Sequence, residues 1–337
     1  MRPRKIAILY NEPISGRYNA LGEESAVLGV LEAVKAVYRA LSELGYSVLQ
    51  VPLLPPLEKA GKDLEKLDVD LIFNLFEGFA DCPETEAAVA DILSDLNVPY
   101  TGCRGNTLSL ALDKVKAKSL LHEAGICTPG YQVLDSDTLP SFHLDYPCIV
   151  KPCAEDASHG ITEDSVVGDF LALKRQVSKI ASAFGGKALV EEYVEGYEFN
   201  VTVLGNAKPT VLPITEIVYS LPSRYPKILA FPAKWDRDSV YYRCTRPVCP
   251  AEIEYELQKH MMGIAAKVFN LFDCTGYARI DFRVNGTKKP YVIEINPNPD
   301  ISPGAGVAIQ AQAGGMSYTQ LIEKVVFLAM EKAQRCP

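Results

Sequence analysis

The amino-acid sequence predicts an α/β protein: a parallel sheet covered by helices comes first, and two α+β units follow. Three observations carry this. Short apolar runs alternate with stretches of helical spacing from residue 5 to residue 97, the pattern of strand–helix–strand crossovers. A compact set of helices and strands lies between 113 and 186. Late in the chain two apolar runs, 278–284 and 291–295, flank Asn285-Gly286, a pair that favours a tight hairpin turn because both central positions take positive φ.

Taken in order, residues 5–9 form a first strand after a basic start. Residues 24–44 have helical apolar spacing and stop at Gly45, a common helix terminator. Strands at 47–51 and 70–73 and a helix over 84–96 complete the first unit, 1–102. The second unit, 103–186, has a helix over 113–124, strands at 131–134 and 148–151, a small-residue loop at 153–161, and a helix over 169–184 ending at Gly185-Gly186. The third, 187–337, opens with a strand over 188–193, continues with 198–204 and 209–214, and ends in helices over 252–269 and 318–331 around the hairpin. Between them residues 218–239 carry prolines at 222, 226 and 232, and so long a structureless stretch in a compact domain reads as a functional lid or as disordered.

Composition narrows the function. The 337 residues are 48% hydrophobic and 23% charged, as in ordinary globular proteins, and suffice for two or three cored domains. A net charge of −8 argues against nucleic acid, which calls for a basic footprint. No apolar run approaches the roughly 20 residues of a membrane span, and the run 6–10 is too short for a signal-peptide core, so the expected location is the cytoplasm. Nine scattered cysteines contain no Cys-x-x-Cys pair, which disfavours zinc and leaves them as small buried hydrophobes.

Chemistry gathers on the hairpin. Alternation puts Arg279, Asp281 and Arg283 on one strand face, and Glu294 and Asn296 share a face of the next strand. Carboxylates, an amide oxygen and a guanidinium then converge. Hard oxygen donors with nothing soft beside them suit Mg²⁺, which usually arrives with nucleotide phosphates. A solvated edge hairpin is the ordinary alternative. Lys151, at a strand end before the small-residue loop that includes Ser158, can hold phosphate by charge and by backbone N–H groups. The run from Glu191 to Glu198 offers acceptors spaced for adenine and ribose, from Glu191, the Val194 backbone and Glu198, or is simply an acidic turn.

Together Pro99-Tyr100-Thr101-Gly102, Asp113-Lys114, Val150-Lys151-Pro152, the Glu191 to Glu198 run, Arg279-Ile280-Asp281 and Glu294-Ile295-Asn296 resemble the ATP-grasp superfamily, most closely the D-alanine–D-alanine ligases. The resemblance covers nearly the whole chain in order, including the 13-residue step from Asp281 to Glu294. It implies the three-domain ATP-grasp fold, with ATP between the second and third domains. It also implies that Lys114 and Lys151 hold phosphates, that Glu191 and Val194 take adenine and Glu198 ribose, and that Asp281, Glu294 and Asn296 ligate two Mg²⁺ ions, with Mn²⁺ an alternative. Arg279 would stabilise the transferred phosphoryl group, Lys234 would be the lid's phosphate-sensing lysine, and Glu23 keeps the family glutamate near the first helix. The implied reaction is ADP-forming amide synthesis from amino-acid-like carboxylate and amine substrates through an acyl phosphate. A homodimer is left open.

The substrate side departs from the family pattern. Trp235 replaces the lid tyrosine, Ala157 its supporting serine, Glu77 a histidine, Ala305 the serine that binds the acceptor's carboxylate, and Asp300 the usual glycine. Losing a hydroxyl from a carboxylate site leaves a charge short of a donor. The expected acceptor is therefore not D-alanine. The alternatives are a D-alanine–D-alanine ligase with a rebuilt acceptor site and a non-catalytic nucleotide-binding module; intact Arg279, Asp281, Glu294 and Asn296 speak against the module.

Overall fold

The computed structural model describes residues 3–12, 23–79, 82–155 and 158–335, with the side chains of 23–28 and 335 left undescribed. The first unit runs β1 (Lys5–Asn11), α1 (Glu23–Glu43), β2 (Ser47–Leu53), α2 (Leu57–Leu64), β3 (Leu71–Leu75) and α3 (Thr85–Asp95). Its sheet has the order β2-β1-β3, and every pairing is parallel. β1 is almost wholly apolar because both its faces are covered. Ile6 and Ile8 pack with Val34, Val37 and Leu41 of α1, while Ala7 and Leu9 pack towards α2 and α3. The buried positions of α1 recur every three or four residues, and the helix ends where Gly45 takes φ 84°.

The middle of the chain holds α4 (Gly105–Leu112), α5 (Lys114–Glu123), β4 (Tyr131–Leu134), β5 (Cys148–Pro152), β6 (Val166–Val167), α6 (Phe170–Ala183) and β7 (Ala188–Glu192). The sheet order is β4-β7-β5-β6, all antiparallel, with Leu173, Val177 and Ile180 of α6 packed on it. The strand read from the sequence over 188–193 as the first of the third unit runs Ala188–Glu192 and is hydrogen-bonded into the middle sheet. A strand's partners are long-range choices that its own composition does not carry.

The rest comprises β8 (Tyr197–Gly205), β9 (Thr210–Val211), β10 (Thr215–Tyr219), α7 (Phe231–Trp235), α8 (Val240–Cys244), β11 (Thr245–Val248), α9 (Tyr255–Leu271), β12 (Gly276–Val284), β13 (Pro290–Asn296), α10 (Gly306–Ala313) and α11 (Tyr318–Arg335). Its main sheet is β11-β10-β8-β12-β13, with β9 on β8. Ala278, Ile280 and Phe282 of β12 pack against Met261, Ala265, Val268 and Phe269 of α9, which leaves Arg279, Asp281 and Arg283 on the opposite face. α11 turns back and buries Leu321, Ile322, Val325 and Val326 against β1 and α1, inside the core of the first unit.

Two local expectations change. The hairpin turn is not a two-residue Asn-Gly turn. Asn285 N–H donates to the Lys289 carbonyl at 3.3 Å, and the left-handed position is Lys288, φ 61°. The Asn285 side-chain oxygen accepts from the Thr287 and Lys289 N–H groups at 3.2 and 3.0 Å and so closes a longer loop itself. The stretch 218–239 is not structureless either. It holds the end of β10 and all of α7, and Ile228 and Ala230 are buried with Ile149 and Tyr241.

Candidate active site

β12 and β13 place the hairpin side chains. Arg279 pairs across the strands with Asn296, and Asp281 with Glu294, so all four share one face. The register slips after Asp281, so that Phe282 faces Val292 and Ile293 is the extra residue. This bulge returns Val292 and Pro290 to the core while Glu294 and Asn296 stay on the polar face. Arg279 grips Asp281 with two hydrogen bonds of 2.7 and 2.8 Å, and Asn200 Nδ2 adds a third at 2.7 Å. The Arg279 guanidinium is held charged: burial works against it, but Asp281 and Glu294 overcome that. Lys114 Nζ donates to Glu294 Oε1 at 2.5 Å. Burial would raise the Glu294 carboxyl, yet Lys114, Lys151 and Lys234 hold it at about 2. Asn296 Oδ1 accepts from the Asn298 N–H at 2.9 Å, and Asn298 Nδ2 donates to the Phe76 carbonyl at 3.2 Å, which ties the hairpin to the first unit.

Beneath the middle sheet lies a residue that sequence reasoning missed. Lys118 and Lys151 both face Glu191, at 3.1 and 2.8 Å, and Lys118 also donates to Thr128 Oγ1 at 2.8 Å. Glu191 is 1% exposed, so its carboxylate is committed to two ammonium groups instead of opening onto an adenine slot. Burial would raise that carboxyl, but the two lysines hold it below its ordinary range. Burial, with Lys151 nearby, lowers the Lys118 ammonium. A signal existed: Lys118 follows Lys114 by four residues on α5, so both project from one helix face.

Glu198 is buried, and its Oε2 accepts from Tyr219 Oη at 2.7 Å and Arg283 at 3.0 Å. Arg283 also donates to the carbonyls of Val194 (3.0 Å) and Lys227 (2.7 Å). One guanidinium thus fixes the segment joining the two sheets and the base of the lid. The small-residue loop meets the lid twice: Ser158 Oγ donates to the Leu229 carbonyl at 2.8 Å, and Phe231 N–H to the Ile161 carbonyl at 3.0 Å. Ser158, inside the small-residue loop, thereby ties that loop to the 218–239 stretch.

At the lid's tip, Lys234 is half-buried among Arg279, Glu294 and Asp281, and burial with the Arg279 charge lowers its ammonium. Trp235 lays its ring on Gly29 of α1, where a Cβ would come within 3.3 Å of it. Trp235 is the only tryptophan, so its emission reports this contact. Gly29→Leu fills the ring's seat; it should shift the emission spectrum and slow turnover by about ten- to a hundredfold. An unchanged spectrum would remove Trp235 from that interface.

Lys234 also lines a cleft of about 670 Å³ with Asp300, Ala305 and the outer face of α1. Asp300 is turned into its own loop, accepting from Ser302 N–H and Oγ at 2.8 and 2.7 Å. Ala305 precedes α10 and supplies no side-chain cap. Glu77 does not line this cleft: it is exposed on the loop after β3, its N–H is bound to Asn11 Oδ1 at 2.9 Å, and its charge and that of Asp300 both act on the buried Tyr277. The Asn11 contact and the Asn298 tie to Phe76 hold that loop beside the hairpin. Ala157 and the Glu23 side chain lie outside the described residues.

Among the described residues no three His, Cys, Asp or Glu side chains gather as a metal cage. Two carboxylates and one amide oxygen, with cations beside them, fit an ion that takes its remaining oxygens from phosphates and water, as Mg²⁺ does. Paired lysines on the middle sheet and a hard-oxygen hairpin in the larger antiparallel sheet fit an ATP-grasp enzyme, an ADP-forming carboxylate–amine ligase that uses ATP and Mg²⁺.

The family model for the C-terminal part of D-ala D-ala ligases matches residues 120–327. The chain belongs to the D-alanine–D-alanine ligase family. It is 31% identical over 335 residues to the D-alanine–D-alanine ligase of Halalkalibacterium halodurans, covering 97% of this chain and all of that one. It is 30% identical over 338 residues to protein y4sG of Sinorhizobium fredii, covering 96% of each. The crystal structure of the D-alanine–D-alanine ligase of Bacillus anthracis complexed with ATP superposes with a TM-score of 0.77 at 20% identity, covering 99% of each chain. Among the described residues no helix is long and apolar enough to cross a membrane.

Proposed function

We propose that this ligase activates the carboxylate of an amino-acid-like donor and joins it to an acceptor other than free D-alanine, in the cytoplasm. The observation that carries this reading is Ala305 at the uncapped start of α10, on the cleft that also takes in Lys234.

The donor's carboxylate oxygen attacks the γ-phosphorus of ATP, the bond to the bridging oxygen breaks, and ADP leaves. The acceptor's amine nitrogen then attacks the acyl carbon. A C–N bond forms, the C–O bond to phosphate breaks, and the amine gives up a proton. Lys114, Lys151 and the loop at Ser158 hold the phosphates, and Glu191 aligns Lys151 and Lys118. The Val194 backbone and Glu198 face the nucleoside. Arg279 and Lys234 offset the charge that develops at the phosphoryl group, the main demand of such a transfer. Mg²⁺ held by Asp281, Glu294 and Asn296 supplies further neutralisation at the phosphates when bound. The lid, closed by Trp235 on α1, keeps water from the acyl phosphate.

Phosphate release with millimolar D-alanine as sole substrate should stay below the usual enzymatic order of about 1 per second, while another amino acid, amine or small peptide restores it. Turnover at or above that order with D-alanine alone would identify an unchanged D-alanine–D-alanine ligase.

A further inference from the structure

The cleft does not stop at the reaction centre. From Lys234 and Ala305 it continues along the outer face of α1, where Lys35 and Arg39 line it. These two are four residues apart, so they project from one helix face about 6 Å apart along the axis. Both are exposed, and among the described residues neither has an ion-pair partner. The cleft carries two carboxylates. Asp300 accepts from the Ser302 N–H and hydroxyl at 2.7 to 2.8 Å. Glu32 lies one turn before Lys35 on α1. Counting Lys234, three cations face two acids, and the two cations of the outer end have no ion pair among the described residues. On the lid side, Tyr242 adds a hydroxyl to the same wall.

Size points the same way. About 670 Å³ falls within the roughly 300–1,000 Å³ of sites for drug-sized molecules, far more than a second alanine fills. The position where a hydroxyl would grip the carboxylate of a short acceptor is Ala305, which offers none. An arginine and a lysine further out offer charge-assisted hydrogen bonds to a carboxylate instead.

Building on the ligase reading above, we infer that Lys35 and Arg39 bind a distal carboxylate of the acceptor. The acceptor is therefore longer than a single small α-amino acid: a short peptide, or an amino acid with an acidic side chain. Its amine lies at the Lys234 and Ala305 end. Its far carboxylate lies against α1, and each added peptide unit reaches about 3.5 Å further along the cleft.

The test uses the full-length enzyme and two readouts. Hydroxylamine trapping of the acyl group with ATP, Mg²⁺ and a panel of amino acids reads donor activation alone; failure there would fall on the ligase reading and not on this one. The second readout is acceptor selectivity. Glycylglycine, D-alanyl-D-alanine and D-glutamate are each compared with the form amidated at the distal carboxylate, by KM in turnover and by calorimetric titration, which needs no turnover. The free carboxylate should be preferred by about ten- to a hundredfold, the size of one charge-assisted contact. Lys35→Ala with Arg39→Ala should bring that ratio to near one through KM and not kcat. Arg39→Glu, on an exposed helix face, should invert it towards acceptors with a distal amine. Equal binding of carboxylate and amide by the wild type, or a ratio unmoved by the double variant, would overturn the assignment.

Discussion

Glu294→Gln should lower ADP formation by roughly a thousandfold or more, the scale seen when a charge-stabilising group is removed from such a transfer. The substitution keeps the shape of the side chain but removes the charge shared by Lys114, Lys151 and Lys234. Nucleotide affinity should fall far less, because Glu198 lies on β8 and Val194 on the segment that precedes it. The same variant carries a signature in acid. The Glu294 carboxyl sits at about 2 in the folded protein against an ordinary 4.5. Between those values the unfolded chain binds the proton and the folded one does not, so the stability this group contributes is complete above about pH 4.5 and is lost as pH falls towards 2. The variant should lack that slope. Near-wild-type ADP formation by Glu294→Gln would rule out the metal and phosphate assignment.

The second large effect falls on stability. Glu191→Ala leaves Lys118 and Lys151 facing each other with no anion between them, and Lys118 is buried at 2% exposure. Breaking one side of a buried ion pair costs about 3–5 kcal/mol, because the remaining charge stays out of water. Urea unfolding followed by circular dichroism should show a loss of that size, together with weakened ATP binding as Lys151 loses its alignment. A change within about 1 kcal/mol would mean that the lysines find other partners.

The hairpin was legible because its message is local. Period-two alternation put Asp281 with Arg279, and Glu294 with Asn296, on shared faces, and the bulge at Ile293 begins just beyond them. Lys118 was not legible, although it stands four residues after Lys114, because a charged side chain on a helix reads as solvated until something folds over it. The lid helices α7 and α8 have five residues each, too few for any period to register. The clamp that Arg283 makes on Val194 and Lys227 joins positions 89 and 56 residues apart, and no spacing rule spans such gaps. Trp235 and Ala305 stood out as departures from a family pattern, yet only the fold sets Trp235 on α1 and Ala305 on a cleft shared with Lys35 and Arg39.

The return of α11 to the core of the first unit has a consequence for biosynthesis. On the ribosome the parallel sheet emerges early, but the apolar side of β1 and α1 stays without its cover until Leu321 to Val326 have been made. The middle unit, whose core draws only on residues 134–190, can settle while translation continues. The order of folding is then inside-out relative to the order of synthesis. The parallel sheet, translated ahead of the middle unit, is secured after it, and in the interval its apolar face stays open.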